Sequence, residues 1–197
     1  MDFDDARDYI LDRLRNELSP SLTYHTVEHT LDMHRSALRL MDMEQFNDKH
    51  ERLLIETAAI YHDAGMLVSY KDHETQSVLI AGEVLPGFGY SQDEIDDIAG
   101  LILVTRLPQK PNSLPEKILC DADLDSLGRD DFFIESFQLH LEWKLNGIAD
   151  YTLEEWLRFE SKFFNDHEYF THSGRQLRQK QKQKNLQEIT DILERLK

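Results

Sequence analysis

An all-α fold, one domain built as a helical bundle, is what this sequence predicts, and three observations carry the prediction. Apolar residues recur three or four apart along most of the chain, as on one face of a helix, with Phe3, Ala6, Ile10, Leu14 and Leu18 as the opening series. Few segments alternate with the period of two that a half-buried strand requires. Helix-start signals are frequent: Ser91-x-x-Glu94 and Thr152-x-x-Glu155 have the form of capping boxes, in which side chains satisfy the free N–H groups of the first turn. At 197 residues the chain suits one domain with a substantial core, and eight or nine helices are expected.

The first helix follows the series from Phe3 to Leu18 and stops before Pro20. Val27, Leu31, Leu38 and Met41 continue the spacing in a second. The run from Leu53 to Tyr61 has the composition of a buried helix; it ends in His62-Asp63, and Gly65 stands where a left-handed cap would sit. Asp72 is placed to cap a helix whose first turn holds His73. Pro86-Gly87-Phe88-Gly89 reads as a loop. So does the segment from Arg106 to Pro115, a candidate rim for a site, with Pro115 able to serve as the first residue of a helix. That helix runs into Cys120-Asp121-Ala122-Asp123-Leu124-Asp125. Near the end, Arg175 to Lys184 is distinctly basic, and Leu186, Ile189, Leu193 and Leu196 form a narrow apolar seam. This pattern fits a solvated helix docked on its own domain, a homodimer contact through the C-terminal helix, or a phosphate-facing patch.

Charge and cysteine content exclude several classes of function. With 22 basic against 38 acidic residues the formal charge is −16, a field that repels long polyanions, so DNA or long RNA is not an expected partner. No stretch approaches the roughly 18 apolar residues of a membrane span, and the start, Met1-Asp2-Phe3-Asp4-Asp5, is acidic. A soluble cytoplasmic protein is expected. Cys120 is the only cysteine, so neither an internal disulfide nor a thiolate zinc cluster is possible, and it is read as core packing.

The chemistry is concentrated in a few histidines and aspartates. A helix packed in a core rarely ends in two ionisable groups such as His62-Asp63 unless something compensates them, and a bound cation is the simplest compensation. Neighbours on a regular helix diverge by about 100°, yet at a helix end both can reach a cation, which the partial negative charge of that end favours. His25 and His29, four apart, stack on one helix face and can address one centre. Asp121, Asp123 and Asp125, spaced by two, cannot all face one point, and spacing alone does not choose among them. Imidazole with carboxylate suits a divalent metal ion such as Mn, Fe, Co, Ni or Zn better than Ca, with Mg also open. His73 could face the same cleft as a substrate or second-metal group, or be an ordinary exposed histidine. Lys71, Arg106 and Lys110 are candidates for clamping a phosphate, or solvated charges. His34, His50, His140, His167 and His172 lack a partner pattern and are read as structural or surface residues.

Taken together, His29, His62-Asp63 and Asp123 resemble the signature of the HD-domain metal-dependent phosphohydrolase superfamily. Tyr24-His25-Thr26-Val27-Glu28-His29-Thr30 looks like the Tyr-His-Asn-x-x-His-Ala segment of cyclic-nucleotide phosphodiesterases, and the stretch from Cys120 is similar to their Cys-Ala-Asp-Leu-Ser element. The resemblance covers roughly residues 20 to 130, with C-terminal helices in 131 to 197 beyond it. It implies that His29, His62, Asp63 and Asp123 are the metal ligands and that His25 is a proton donor; Asp121 is the rival to Asp123 for the last ligand, and the carboxylate not chosen is expected to orient ligands through hydrogen bonds. The chain departs from the phosphodiesterases at His62-Asp63-Ala64-Gly65-Met66, where they have His-Asp-x-x-His-Pro-Gly. The implied function is hydrolysis of a phosphoric ester in a small phosphorylated metabolite, with a nucleotide expected. Alternatives are a cyclic-nucleotide phosphodiesterase, a non-catalytic nucleotide-sensing module, and a di-iron oxygenase resembling inositol oxygenase, which needs further histidines between His73 and Asp123 that are absent here.

Overall fold

Nine α-helices and three short 3₁₀ turns make up the regular structure of the computed structural model, which describes residues 1–196, and no strand occurs among them. The helices are α1 Phe3–Glu17, α2 Val27–Met43, α3 Lys49–Tyr61, α4 His73–Val84, α5 Gln92–Leu103, α6 Leu114–Asp123, α7 Phe132–Leu145, α8 Leu153–Asp166 and α9 His172–Arg195. Their starts follow local chemistry. Thr26 accepts from the backbone N–H of His29, and Asp48 from those of His50 and Glu51. Ser91 and Thr152 form the expected capping boxes, and Ser113 with Glu116 forms a third. Leu114 starts α6, so Pro115 is its second residue, a position equally free of the need for an N–H.

Two local expectations are corrected. Asp72 precedes α4 in the left-handed region, φ 55°, and its side chain caps nothing. Gly65 is not a left-handed cap; it lies within the 3₁₀ turn Ala64–Leu67. Its role is close approach: a Cβ there would lie 1.9 Å from the carbonyl oxygen of His73 and 2.7 Å from the backbone nitrogen of Ser77. The turn and the start of α4 therefore touch backbone to backbone. Ser77 Oγ completes the junction, accepting from Gly65 N–H at 2.7 Å and donating to the carbonyl of His62 at 2.6 Å.

The larger apolar core is assembled by α1 to α6 from residues such as Ile10, Met33, Leu40, Ile55, Ile98 and Leu119. A smaller one joins Leu127, Phe132, Leu157, Phe164 and Ile189, uniting α7, α8 and α9 with the 3₁₀ turn Asp125–Gly128. The seam on α9 is thus used inside the molecule: Ile189 is fully buried, Leu186 and Leu193 pack against the same cluster, and Leu196 is exposed. The basic stretch is likewise partly internal. Arg178 forms a bidentate pair with Asp125 at 2.6 and 2.8 Å, Arg175 donates to the carbonyl of Tyr169, and Lys182 to that of His167. Asp125 is accordingly buried and paired. No helix is long and apolar enough to cross a membrane.

Candidate metal centre

Four helix ends meet at one place. His29 lies in the first turn of α2, His62 closes α3 with Asp63 in the turn after it, His73 begins α4, and Asp123 ends α6. His62 Nε2 lies 3.3 Å from His29 Nε2 and 3.0 Å from Asp63 Oδ2; Asp123 Oδ1 is 3.7 Å from both imidazole nitrogens. The other oxygen of Asp63, Oδ1, is 3.2 Å from His73 Nε2. Two ligand-bearing groups result, His29–His62–Asp123 and His25–Asp63–His73, with donor atoms in each lying within 4.8 Å of one another. The two oxygens of Asp63 face both.

The donor set fits a divalent cation. Asp63 Oδ2 is buried without a hydrogen-bond partner, and the ring nitrogens of His29 and His62 face each other beside it at 3.3 Å, so donor atoms of a metal-ligating kind converge on one point. The tautomers agree. His62 Nδ1 donates to the carbonyl of Ala59 at 2.9 Å and His73 Nδ1 to that of Tyr70 at 3.1 Å, because a carbonyl can only accept. His25 Nδ1 pairs with the Glu142 carboxylate. In all three rings Nε2 is turned to the site, the orientation that outer hydrogen bonds impose on metal-binding histidines.

Electrostatics bind the group together. Burial opposes the charged form of His62, but Asp63 and Asp123 outweigh it and raise its pKa. Burial likewise works against the Asp63 carboxylate, yet His62, His25 and His73 hold it well below the ordinary range. His73 is pushed up to about 9, burial being outweighed by Asp63 and Glu74. Glu142, fully buried on α7, stays below its usual range despite burial because His25 and the N–H groups of Tyr24 and His25 bond to it.

A family model for the HD domain matches residues 26–126. This chain belongs to the HD domain family. The whole fold of the HD domain protein is also similar to two solved structures. Bacillus subtilis YpgQ in complex with ADP aligns at TM-score 0.66 and 19% identity, over 96% of this chain and 95% of that one. A predicted HD superfamily hydrolase from an uncultured Thermotogales bacterium aligns at TM-score 0.60 and 17% identity, over 98% and 90%. No curated protein matches the chain.

The site of this HD domain protein brings together His25, His29, His62, Asp63, His73 and Asp123. It does not gather the remaining candidates. Asp121 points the other way, accepting from the backbone N–H groups of Phe170 and Thr171, both at 2.8 Å, and from Thr171 Oγ1 at 2.6 Å. It holds the start of α9 rather than a metal ligand. Arg106 is exposed and bonded to Glu74 and Thr75, and Lys71 and Lys110 are exposed; among the described residues no lysine or arginine lines the adjoining cavity. The other histidines lie outside the cluster: His34 pairs with Glu56, His50 with Glu94, His140 stacks on Trp156, His167 stacks on Phe163, and His172 is exposed at the start of α9.

Sequence reasoning missed four contributors. Gln109, in the proline-rich loop, donates to Asp123 Oδ2 at 3.0 Å and leaves Oδ1 to the histidines. Glu142 accepts from the backbone of Tyr24 and His25 and from the Tyr70 hydroxyl at 2.9 Å, besides the His25 ring. Tyr24 and Tyr70 line the cavity beside the cluster. Of these, only Tyr24 had a sequence signal, its place beside His25.

Proposed function

We propose that this HD domain protein is a metal-dependent phosphohydrolase acting on a small phosphorylated metabolite, specifically a nucleotide. The observation that carries the reading is the pair of His/Asp groups joined by Asp63, with ring nitrogens oriented inward by outer hydrogen bonds. Its setting supports it: the cluster forms the polar end of a cavity of about 240 Å³, a size for a small molecule and not a polymer. The ADP held by YpgQ and the hydrolase description of the Thermotogales protein point the same way.

His29, His62, Asp63 and Asp123 would hold the divalent cation. Such an ion, when bound, supplies positive charge for a phosphoryl group and acidifies water. With no lysine or arginine lining the cavity among the described residues, the positive charge the protein itself offers a phosphate is that of imidazoles. Asp63 and Asp123 fix the positions of the histidines through charge. His25 is placed to move a proton: Nδ1 is held by Glu142, so Nε2 is the atom that would give a proton to the leaving oxygen. Glu142 also fixes the backbone of Tyr24 and His25, so it is a positioning residue for that ring. A second reading makes His25 a ligand, with Asp63 and His73, of a second cation, which their mutual distances favour. Metal counting on His25→Ala separates the two: unchanged stoichiometry keeps His25 as the proton donor, and loss of one equivalent makes it a ligand.

The test of the main reading is phosphate release from linear and cyclic nucleotides by metal-loaded protein, with His62→Ala as control. No release from any nucleotide or other phosphate ester would overturn it.

A further inference from the structure

The cavity has a second end. Away from the histidines its walls are aromatic, and the rings are coupled: Trp143 lies 5.3 Å from Trp156 and 5.0 Å from Phe159, while Trp156 is 5.4 Å from Phe159 and Phe159 is stacked on Phe163 at 6.4 Å, centroid to centroid. Into this apolar chamber α8 brings one carboxyl group, Glu160. It is 6% exposed, lines the cavity, and its Oε2 has no hydrogen-bond partner. A buried carboxyl oxygen without a partner is costly. Among the described residues no lysine or arginine lines the cavity to neutralise it.

We propose that this chamber receives the base of the nucleotide, with the aromatic rings covering its faces and Glu160 hydrogen-bonding its polar edge. The inference rests on the reading of the site as one for nucleotides and names the residue that recognises the base. The chemistry selects a base over an organic cation, the other ligand that aromatic walls and a carboxyl suit. A cation would be drawn by a carboxylate held ionised. Burial instead pushes Glu160 up to about 7, only partly offset by Ser136 and Trp156, so near neutral pH it is often the neutral acid. A neutral carboxylic acid presents an O–H donor beside a C=O acceptor, which pairs with an N–H next to a ring nitrogen or carbonyl, the edge every nucleobase offers.

Both tryptophans of the chain line the cavity, so intrinsic fluorescence reports on it directly. The probes are guanosine, adenosine, cytidine and uridine, which carry no phosphate, titrated into metal-loaded full-length protein, with ribose and choline as controls. At least one nucleoside should change the emission saturably, and ribose should not. Glu160→Gln keeps a donor and an acceptor side by side and should bind within a few-fold of the parent. Glu160→Leu should bind about tenfold or more weakly, the loss expected for a hydrogen-bonded pair in a dry site. Thermal unfolding checks that both variants are folded. The inference is overturned if no nucleoside binds saturably, if Glu160→Leu binds as well as the parent, if Glu160→Gln fails as badly as Glu160→Leu, or if choline binds and nucleosides do not. Nucleoside binding that depends on Glu160 without phosphate release from any nucleotide would sink the phosphohydrolase reading and leave this one standing. Phosphate release from nucleotides with binding indifferent to Glu160 would do the reverse.

Discussion

At the histidine end of the cavity polar groups hold one another: Ala59, Tyr70 and Glu142 fix three imidazoles, Gln109 fixes Asp123, and Asp63 touches both sets of donors. At the aromatic end Glu160 has an oxygen bonded to nothing. The first arrangement leaves little freedom and suits chemistry, where angles must be met before a reactant arrives. The second leaves valence open and suits recognition, where the ligand completes the bonding. Mutations should therefore act differently at the two ends.

The largest effect should come from His62→Ala, which removes a nitrogen at the centre of the first group and leaves Asp63 buried with one partner fewer. Metal content of the purified variant should fall to background and turnover with it; full stoichiometry would break the contrast at its foundation. His25→Ala should keep fold and metal but lower turnover of a substrate with a poor leaving group by about 10² to 10⁴-fold, and of an activated aryl phosphate much less. Equal losses on both substrates would mean that His25 does not act as an acid. Glu142→Gln, which keeps the shape but removes the charge behind His25, should cost less, roughly 10 to 100-fold in turnover, with the loss concentrated on the same poor leaving group.

Asp121 and Asp123 sharpen the comparison, because two residues apart they serve different ends. Asp123→Asn should weaken metal binding, measured by competition with a chelator. Asp121→Asn should leave metal affinity within a few-fold and lower the denaturation midpoint, since it loses acceptors for Phe170 and Thr171. The reverse pattern would mean that α6 presents the other face to the cation.

The smallest effect is a pH dependence. The Glu160 carboxyl titrates near 7 in the folded protein, above its unfolded value of about 4.3, so folding favours the protonated form. Its penalty is absent below the unfolded pKa, grows as pH rises, and is complete above about 7. Glu160→Leu should therefore be stabilising, by on the order of 2 kcal/mol at pH 8 and much less at pH 4, in urea unfolding. A constant difference across that range would show that the carboxyl is not held in a dry site.

The helices and the cluster were legible in the sequence for the same reason: both depend on short-range spacing. The capping boxes, the four-residue step from His25 to His29 and the pair His62-Asp63 are local patterns with one geometric consequence each. Choosing Asp123 over Asp121 needed the family resemblance, because a two-residue step on a helix turns both away from any common point, and the destination of each depends on what packs there. Glu142 and Glu160 were illegible. Each is an ordinary glutamate in its helix, and only the docking of α7 and α8 beside the site turns it inward. Lys71, Arg106 and Lys110 differ again: scarcity of cations, not spacing, suggested them, and all three are exposed, with Arg106 bonded to Glu74 of the cavity wall. Gly65 looked like a cap because it follows a helix; its closeness to α4 is a tertiary fact.

Glu142 accepts from the segment before α2 across 117 residues of chain. The elements that supply His29, His62, Asp63 and Asp123 are all made before α7 leaves the ribosome, and their apolar contacts are largely among themselves. The segment bearing His25 touches those elements through its rings, but the hydrogen bonds of its ring, its backbone N–H and that of Tyr24 all wait for a carboxylate synthesised later. On the proposed roles, a nascent chain gathers its cation ligands first and sets its proton donor last, so that the site becomes competent only once the closing helix of the cavity is in place.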